Sequence, residues 1–209
     1  MQATRRPIIF VAHGLGGIIV KSALIHSYAA QKTALKDHRS IKLSTYGIIF
    51  MGTPHQGSDG VQFGKLLMNI ASVFVAVDDC IDKYLERDSE WLQQQLSQYG
   101  LISRDFTTKF AFEEFLTPTK LGPLIIVVPR ASAVVPGAAH TETIAMHADH
   151  INMVKFASKE DIGYRTVSSH LWIMTQDATA IVRSRWEEEN RIDTGMQTGF
   201  LSWVGSDEV

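Results

Sequence analysis

Near-continuous apolar runs divide the chain into segments that are typical of buried strands. Such runs occupy residues 8–12, 46–51 and 124–128, and strands buried on both faces of a parallel sheet have this composition. Residues 105–114 alternate polar and aromatic side chains, which is the period of a strand with one buried face. A short run at 143–146 predicts a fifth strand.

Apolar residues at helical spacing separate these strands. Helices are predicted at 16–32, 61–77, 89–99 and 164–185. Strands that alternate with helices predict an α/β fold, a three-layer sandwich with a mainly parallel sheet. We expect one domain over residues 1–185, with a helical insertion at about 61–99, followed by a polar tail or linker at 186–209.

Composition and charge are those of an ordinary globular chain. The 209 residues are 45% hydrophobic and 20% charged, enough for one domain with a buried core. A net charge of -2 gives no electrostatic reason to expect nucleic acid as a partner. No window of about 18 apolar residues predicts a transmembrane segment. The single cysteine, Cys80, excludes an internal disulfide and fits a cytoplasmic location, with association with an organelle left open.

The strand at 8–12 leads into the glycine-rich turn HGLGG at 13–17, after which a helix begins. Strand, tight turn and helix form the nucleophile elbow of α/β-hydrolases, G-x-S-x-G, in which the serine stands at the strained apex. Small residues occupy the outer positions, Ala12 and Gly16, but the apex residue is Gly14. The pattern therefore predicts an elbow without its nucleophile.

Four blocks of sequence resemble one family. They read PIIFVAHGLGGIIVK from Pro7, GIIFMGTPHQGS from Gly47, VVPRASA from Val127 and MHADHINMVKF from Met146. Together they resemble the serine esterase or lipase-like α/β-hydrolase domain of fungal NACHT-type receptor proteins. They are also similar to the serine-active-site protein of mitochondria–ER contacts. In this family the first block normally reads HSLGG.

The resemblance implies an α/β-hydrolase sandwich of which this chain holds the C-terminal part, because the elbow of these proteins follows their fifth strand. It also implies that the chain is a fragment or comes from a truncated gene model, without the first strands and one oxyanion-hole loop. The strand at 8–12 would then form an exposed apolar edge that a partner would have to cover.

The resemblance further implies the positions of a catalytic triad. Gly14 takes the place of the nucleophile, and His150, within the block ADH, takes that of the general base. The preferred acid is Glu114, and Glu113 stays the alternative because strand register decides which of the two points inward. The family often carries a carboxylate where this chain has Ala131.

Two further residues are candidates for contact with a substrate. The backbone N–H of Leu15 could donate one hydrogen bond of an oxyanion hole. His55 could lie at the substrate rim, although a role in structuring its loop is the stronger interpretation. The acidic and histidine side chains between residues 140 and 150 lack a recognised metal-ligand spacing, so no metal is expected, and no organic cofactor is implied.

These residues predict a serine esterase or lipase-like hydrolase domain that is inactive as this chain, because Gly14 carries no group that can attack a carbonyl. An acyl ester or a lipid is the substrate class that the resemblance implies. The alternative is a non-catalytic recognition or signalling module of a larger, NLR-like receptor protein.

Overall fold

The computed structural model describes residues 5–30, 36–55, 60–74, 94, 97–120, 122–135 and 140–204. Cys80, residues 75–93 of the predicted insertion and the last residues of the predicted tail, 205–209, lie outside this part of the chain.

A four-stranded parallel sheet forms the centre of the described structure. Its strands are β1 (Ile8–His13), β2 (Thr45–Met51), β3 (Thr107–Glu113) and β4 (Thr141–Met146), in the spatial order β1-β2-β3-β4. Each neighbouring pair is parallel, so all four carboxyl ends meet at one edge of the sheet. This is an α/β architecture, in agreement with the class that the sequence predicts.

Helices connect the strands and cover the sheet. The helices include α1 (Gly16–Ala29), α2 (Lys36–Ser44), α3 (Gly60–Phe74), α4 (Arg130–Ala133) and α5 (Ile162–Val204). Residues 97–102, at the end of the helix predicted at 89–99, are also helical, and Ser103–Asp105 form a 3₁₀ helix. None of the helices in the described ranges is long and apolar enough to cross a membrane.

The core lies on both faces of β2 because its side chains alternate between them. Ile48 and Phe50 pack in a cluster with Leu24 of α1. Ile49, on the opposite face, packs in a second cluster with Met174 of α5. All five side chains are 1% exposed or less, so the strand is buried on both faces, as its near-continuous apolar sequence predicts.

The strand predicted at 124–128 is not formed. Only Ile125 makes a β-bridge, an isolated antiparallel one with Thr117. Val127 and Val128 are fully buried, as the apolar run predicts, but their backbone N–H groups donate to the carboxylate of Glu113. The run is therefore buried but is not part of the sheet. Its backbone N–H groups donate to the side chain of Glu113 instead of to the carbonyl groups of a neighbouring strand.

The last helix is longer than the sequence predicts. The expected end was residue 185, whereas α5 continues to Val204, so residues 186–204 of the predicted tail are helical. Trp186 is 8% exposed and its indole N–H donates to Ser44 Oγ at 3.2 Å. One turn later, Glu189 accepts a hydrogen bond of 2.6 Å from Arg39 Nε of α2. The helix therefore still packs against α2 at Trp186 and Glu189, beyond the predicted end at residue 185.

Candidate active site

The turn after β1 has the backbone conformation that glycine favours. Gly14 has a φ of +53°, in the left-handed region where a Cβ is strained. Its N–H donates to the carbonyl of Met51 at 2.9 Å, and its carbonyl accepts from Thr53 Oγ1 at 3.0 Å. The predicted strand, tight turn and helix are present, with α1 beginning two residues after Gly14.

A close approach of α1 to the loop after β2 explains a second glycine of the turn. A Cβ at Gly17 would lie 2.2 Å from Thr53 Oγ1, closer than real Cβ atoms come. Gly16 differs, because a Cβ there would meet no atom within 4 Å. The three glycines of the HGLGG turn therefore differ in why glycine stands there. The backbone conformation favours glycine at Gly14, close packing requires it at Gly17, and no steric contact requires it at Gly16.

His150 follows β4 and lies against this turn. Its side chain is fully buried, and a Cβ added at Gly14 would lie 3.3 Å from its Nε2 atom. On the other side, a Cβ at Gly52 would lie 2.8 Å from its Nδ1 atom. The imidazole is therefore held between two glycine backbones, beside the apex of the turn after β1.

Glu113 is the carboxylate that contacts this histidine. The Nδ1 atom of His150 is 2.7 Å from Glu113 Oε2, and neither side chain is exposed. The other carboxylate oxygen accepts hydrogen bonds from the backbone N–H groups of Val127 and Val128. The carboxylate is thus oriented by two fixed donors, and it fixes the histidine tautomer with the proton on Nδ1.

Glu114, the preferred acid of the sequence analysis, is placed elsewhere. It contacts Nδ1 of His147, whose side chain is 81% exposed. Because side chains alternate along a strand, consecutive residues at the end of β3 point to different environments. Of the two candidates, Glu113 and not the preferred Glu114 therefore contacts His150 in the structure. The register of β3 with its neighbours decides which glutamate meets His150, and the sequence alone does not give that register.

The remaining nitrogen of the buried histidine has no hydrogen-bond partner in the described structure. This atom, His150 Nε2, is also closed off from solvent. With the proton on Nδ1, it presents a lone pair toward Gly14. A hydroxyl one bond beyond a Cβ at Gly14 could come within hydrogen-bond distance of it.

His13 contacts His150 through a hydrogen bond and a ring contact. Its Nε2–H donates to the backbone carbonyl of His150 at 2.8 Å, and the two ring centroids are 4.6 Å apart. Burial, and secondarily the neighbouring His150, lower the pKa of His13. A neutral His13 can donate this hydrogen bond without placing a positive charge beside the ring of His150.

The other site candidates lie at different depths. Leu15 is the residue before α1, so its N–H lies at the start of the helix, beside the turn. The residue is 38% exposed. His55, expected at the substrate rim, is only 8% exposed, with Nδ1 2.7 Å from Lys21 Nζ. Ala131 lies in α4 and carries no carboxylate that could replace Glu113.

The buried amine of Lys21, next to His55, was not among the candidates predicted from the sequence. Lys21 is 2% exposed, and burial lowers its pKa to about 7. Its ammonium position also lies 5.2 Å from the ring centre of Phe50. The signal was present, because Lys21 stands three residues after Ile18 and three before Leu24 on the buried face of α1.

Within the described residues, no group of three or more histidine, cysteine, aspartate or glutamate side chains converges on one point.

Comparison with known proteins identifies relatives over most of the chain. Protein SERAC1 of Danio rerio is 30% identical over 162 residues, which cover 77% of this chain and 23% of that protein. The chain is a distant homologue of SERAC1. The SERAC1 proteins of Bos taurus and Homo sapiens are each 27% identical over 163 residues, with the same coverage.

The chain spans 23% of the length of these SERAC1 relatives. No protein-family model matches it, and no solved structure matches it.

Proposed function

We propose that this chain is an α/β-hydrolase-like domain that retains the histidine–carboxylate pair of a serine esterase and has lost its nucleophile. The observation that carries the proposal is the convergence of Gly14, His150 and Glu113. His150 contacts Glu113 through Nδ1 and presents Nε2 toward the apex of the turn after β1. Homology to SERAC1, a serine-active-site-containing protein, supports the same assignment.

The proposed roles follow from the chemistry of acyl transfer. A serine hydroxyl at the apex would give its proton to Nε2 while its oxygen attacks an acyl carbonyl. Glu113 would orient the imidazole and stabilise its cation, and the N–H of Leu15 would donate to the oxyanion. Gly14 supplies no oxygen, so no covalent acyl intermediate can form at this position. An acyl ester or a lipid remains the substrate class that we propose for an active ancestor or relative.

The second candidate is a non-catalytic recognition or signalling module. Enclosure of His150 Nε2 favours it, because an atom closed off from solvent cannot activate water. In this proposal the hydrolase scaffold serves a larger, NLR-like protein, and the buried pair contributes only to the stability of the fold. The context of such a module would be cytoplasmic, with no nucleic acid bound.

Restoring the hydroxyl separates the two candidates. We expect Gly14→Ser to react with a fluorophosphonate probe, and the wild-type chain not to react. Gly16→Ser is the matched control, because it adds a serine to the same turn where a Cβ meets no atom within 4 Å. Gly14→Ser combined with His150→Ala should lose labelling by about 10³-fold or more, because the serine then has no base.

Each outcome has a defined meaning. Labelling of the wild-type chain would overturn the loss of the nucleophile. A folded Gly14→Ser variant that stays unlabelled would overturn the retained base and favour the non-catalytic module. Equal labelling of Gly14→Ser and Gly16→Ser would show that reactivity does not depend on the position of His150.

A further inference from the structure

A cleft lies at the opposite end of β1 from the candidate active site. It has a volume of about 650 Å³ and is formed between the residues that precede β1 and one side of α5. Because β1 has six residues, the cleft is roughly 20 Å from the turn at Gly14. The cleft is thus separate from the histidine–carboxylate pair.

Positive charge dominates this cleft. Arg5 and Arg6 line it from the segment before β1, and Arg183 lines it from α5, whereas Glu187 is the only acidic residue among its lining residues. None of the three guanidinium groups lies within ion-pair distance of a carboxylate of the described residues. Arg191, by contrast, is paired with Glu188. The lining of the cleft therefore carries three positive charges and one negative charge, an excess that attracts an anion.

A buried indole holds one of these arginines in place. The guanidinium carbon of Arg5 lies 5.0 Å from the ring centre of Trp186. Trp186 is itself 8% exposed and fixed by its hydrogen bond to Ser44. Stacking on a rigid aromatic face restricts the orientation of a guanidinium, so its donors need less ordering when a ligand binds.

We propose that this cleft binds a phosphomonoester group. Three guanidinium groups offer several forked pairs of donors, and the three terminal oxygens of a phosphomonoester dianion can accept from more than one of them. A carboxylate has two oxygens and one charge, so it would leave part of the donor set unused. The volume exceeds that of a phosphate group alone, so the cleft has room for an organic part of the ligand as well.

Titration of the full chain with a soluble monoester tests the site. We expect glycerol phosphate to bind and glycerol not to bind, measured by calorimetry. Arg183→Gln and Arg6→Gln should each weaken binding by about tenfold, because each removes charge-assisted hydrogen bonds. Both side chains are exposed, so the variants should fold as the wild type does. Arg165→Gln, on the same helix but outside the cleft, is the matched control and should leave binding unchanged.

A vesicle arm distinguishes the source of the phosphate. Phosphatidylcholine vesicles with and without phosphatidic acid present the same group on a lipid surface. Binding to the acidic vesicles that depends on Arg183 would assign a lipid head group, and binding of the soluble ester alone would assign a free metabolite. Absence of binding in both arms, or equal losses in Arg183→Gln and Arg165→Gln, would overturn the proposal.

Discussion

At the scale of single residues, the candidate site depends on how its ionisable groups are buried. Glu113 and His150 have no exposed side-chain surface, and each is satisfied on the side facing the other. Two backbone N–H groups complete the coordination of Glu113, whereas Nε2 of His150 has no partner in the described structure. Every side-chain nitrogen and oxygen atom of the pair therefore has a hydrogen-bond partner in the described structure except the nitrogen that faces Gly14.

We expect Glu113→Gln to lower the free energy of unfolding by roughly 2 to 4 kcal/mol, because it disturbs a buried network with three hydrogen bonds. Glu114→Gln is the control, and it should cost less than about 1 kcal/mol because its contact with His147 is largely exposed. Urea unfolding of both variants measures the difference. Equal costs would contradict the assignment of Glu113 as the partner of His150.

Lys21 gives a prediction about pH. Its pKa is lowered to about 7 by burial, from an ordinary value of 10.5 that applies to the unfolded chain. Between these two values the unfolded state binds more protons, so the stability of the wild type should rise as the pH increases from 7 toward 10. Lys21→Met should remove this rise and add roughly 2 kcal/mol at pH 7, because burying the amine costs more than its bond to His55 returns.

The test compares urea unfolding of Lys21→Met and the wild type at pH 7 and at pH 9. The stability difference between them should shrink at the higher pH. Lys155→Met, at an exposed position, is the control and should follow the wild type at both pH values. A difference that stays constant with pH would show that Lys21 titrates normally in the folded protein.

At the scale of elements, α5 packs on the sheet through one buried face that continues past the predicted helix end at residue 185. Met174, Ala178 and Val182 continue a buried stripe along the helix, and Trp186 prolongs it by one turn. This stripe covers the face of the sheet that Ile49 presents. The polar composition after residue 186 concealed the extension, because only one face of the helix has to be apolar.

We expect Trp186→Ala to lower the free energy of unfolding by roughly 3 to 5 kcal/mol, as large-to-small changes of buried aromatic residues do. Trp172→Ala is a matched control on the same helix, and it should cost less than about 1 kcal/mol because Trp172 is 66% exposed. Thermal or urea unfolding measures both. Similar costs would contradict the packing of the helix beyond residue 185.

At the scale of the whole molecule, the sheet presents an apolar edge. β1 is the first strand in the spatial order and pairs on one side with β2. Val11 in this strand is 49% exposed, and Ile19 in the following helix is 69% exposed. An unpaired apolar strand is a template for association with other chains.

We expect Val11→Lys to reduce self-association of the purified chain, because a charge on an edge strand opposes pairing. Ile162→Lys is the control: Ile162 is 79% exposed but stands at the start of α5, away from this strand. Sedimentation over a range of concentrations measures the effect. An equal reduction in both variants would show that added charge, and not the edge of β1, controls association.

Local patterns were sufficient to predict several features. The apolar runs located β1 and β2, and the glycine turn located Gly14, because backbone conformation and burial on both faces leave direct traces in neighbouring residues. The alternation of β3 was also visible in the sequence. His150 was proposed as a site residue because its block of sequence resembles a family. Its contact with Glu113 is known only from the structure.

Only the tertiary structure decided which distant groups meet. Strand register places Glu113, and not Glu114, against His150. The carboxylate of Glu113 also accepts hydrogen bonds from the backbone N–H groups of Val127 and Val128, so the strand predicted there does not form. The tertiary structure also brings Arg5 onto Trp186 across most of the chain. These contacts depend on which backbone and side-chain groups remain unpaired after packing, and a local sequence pattern carries no record of that.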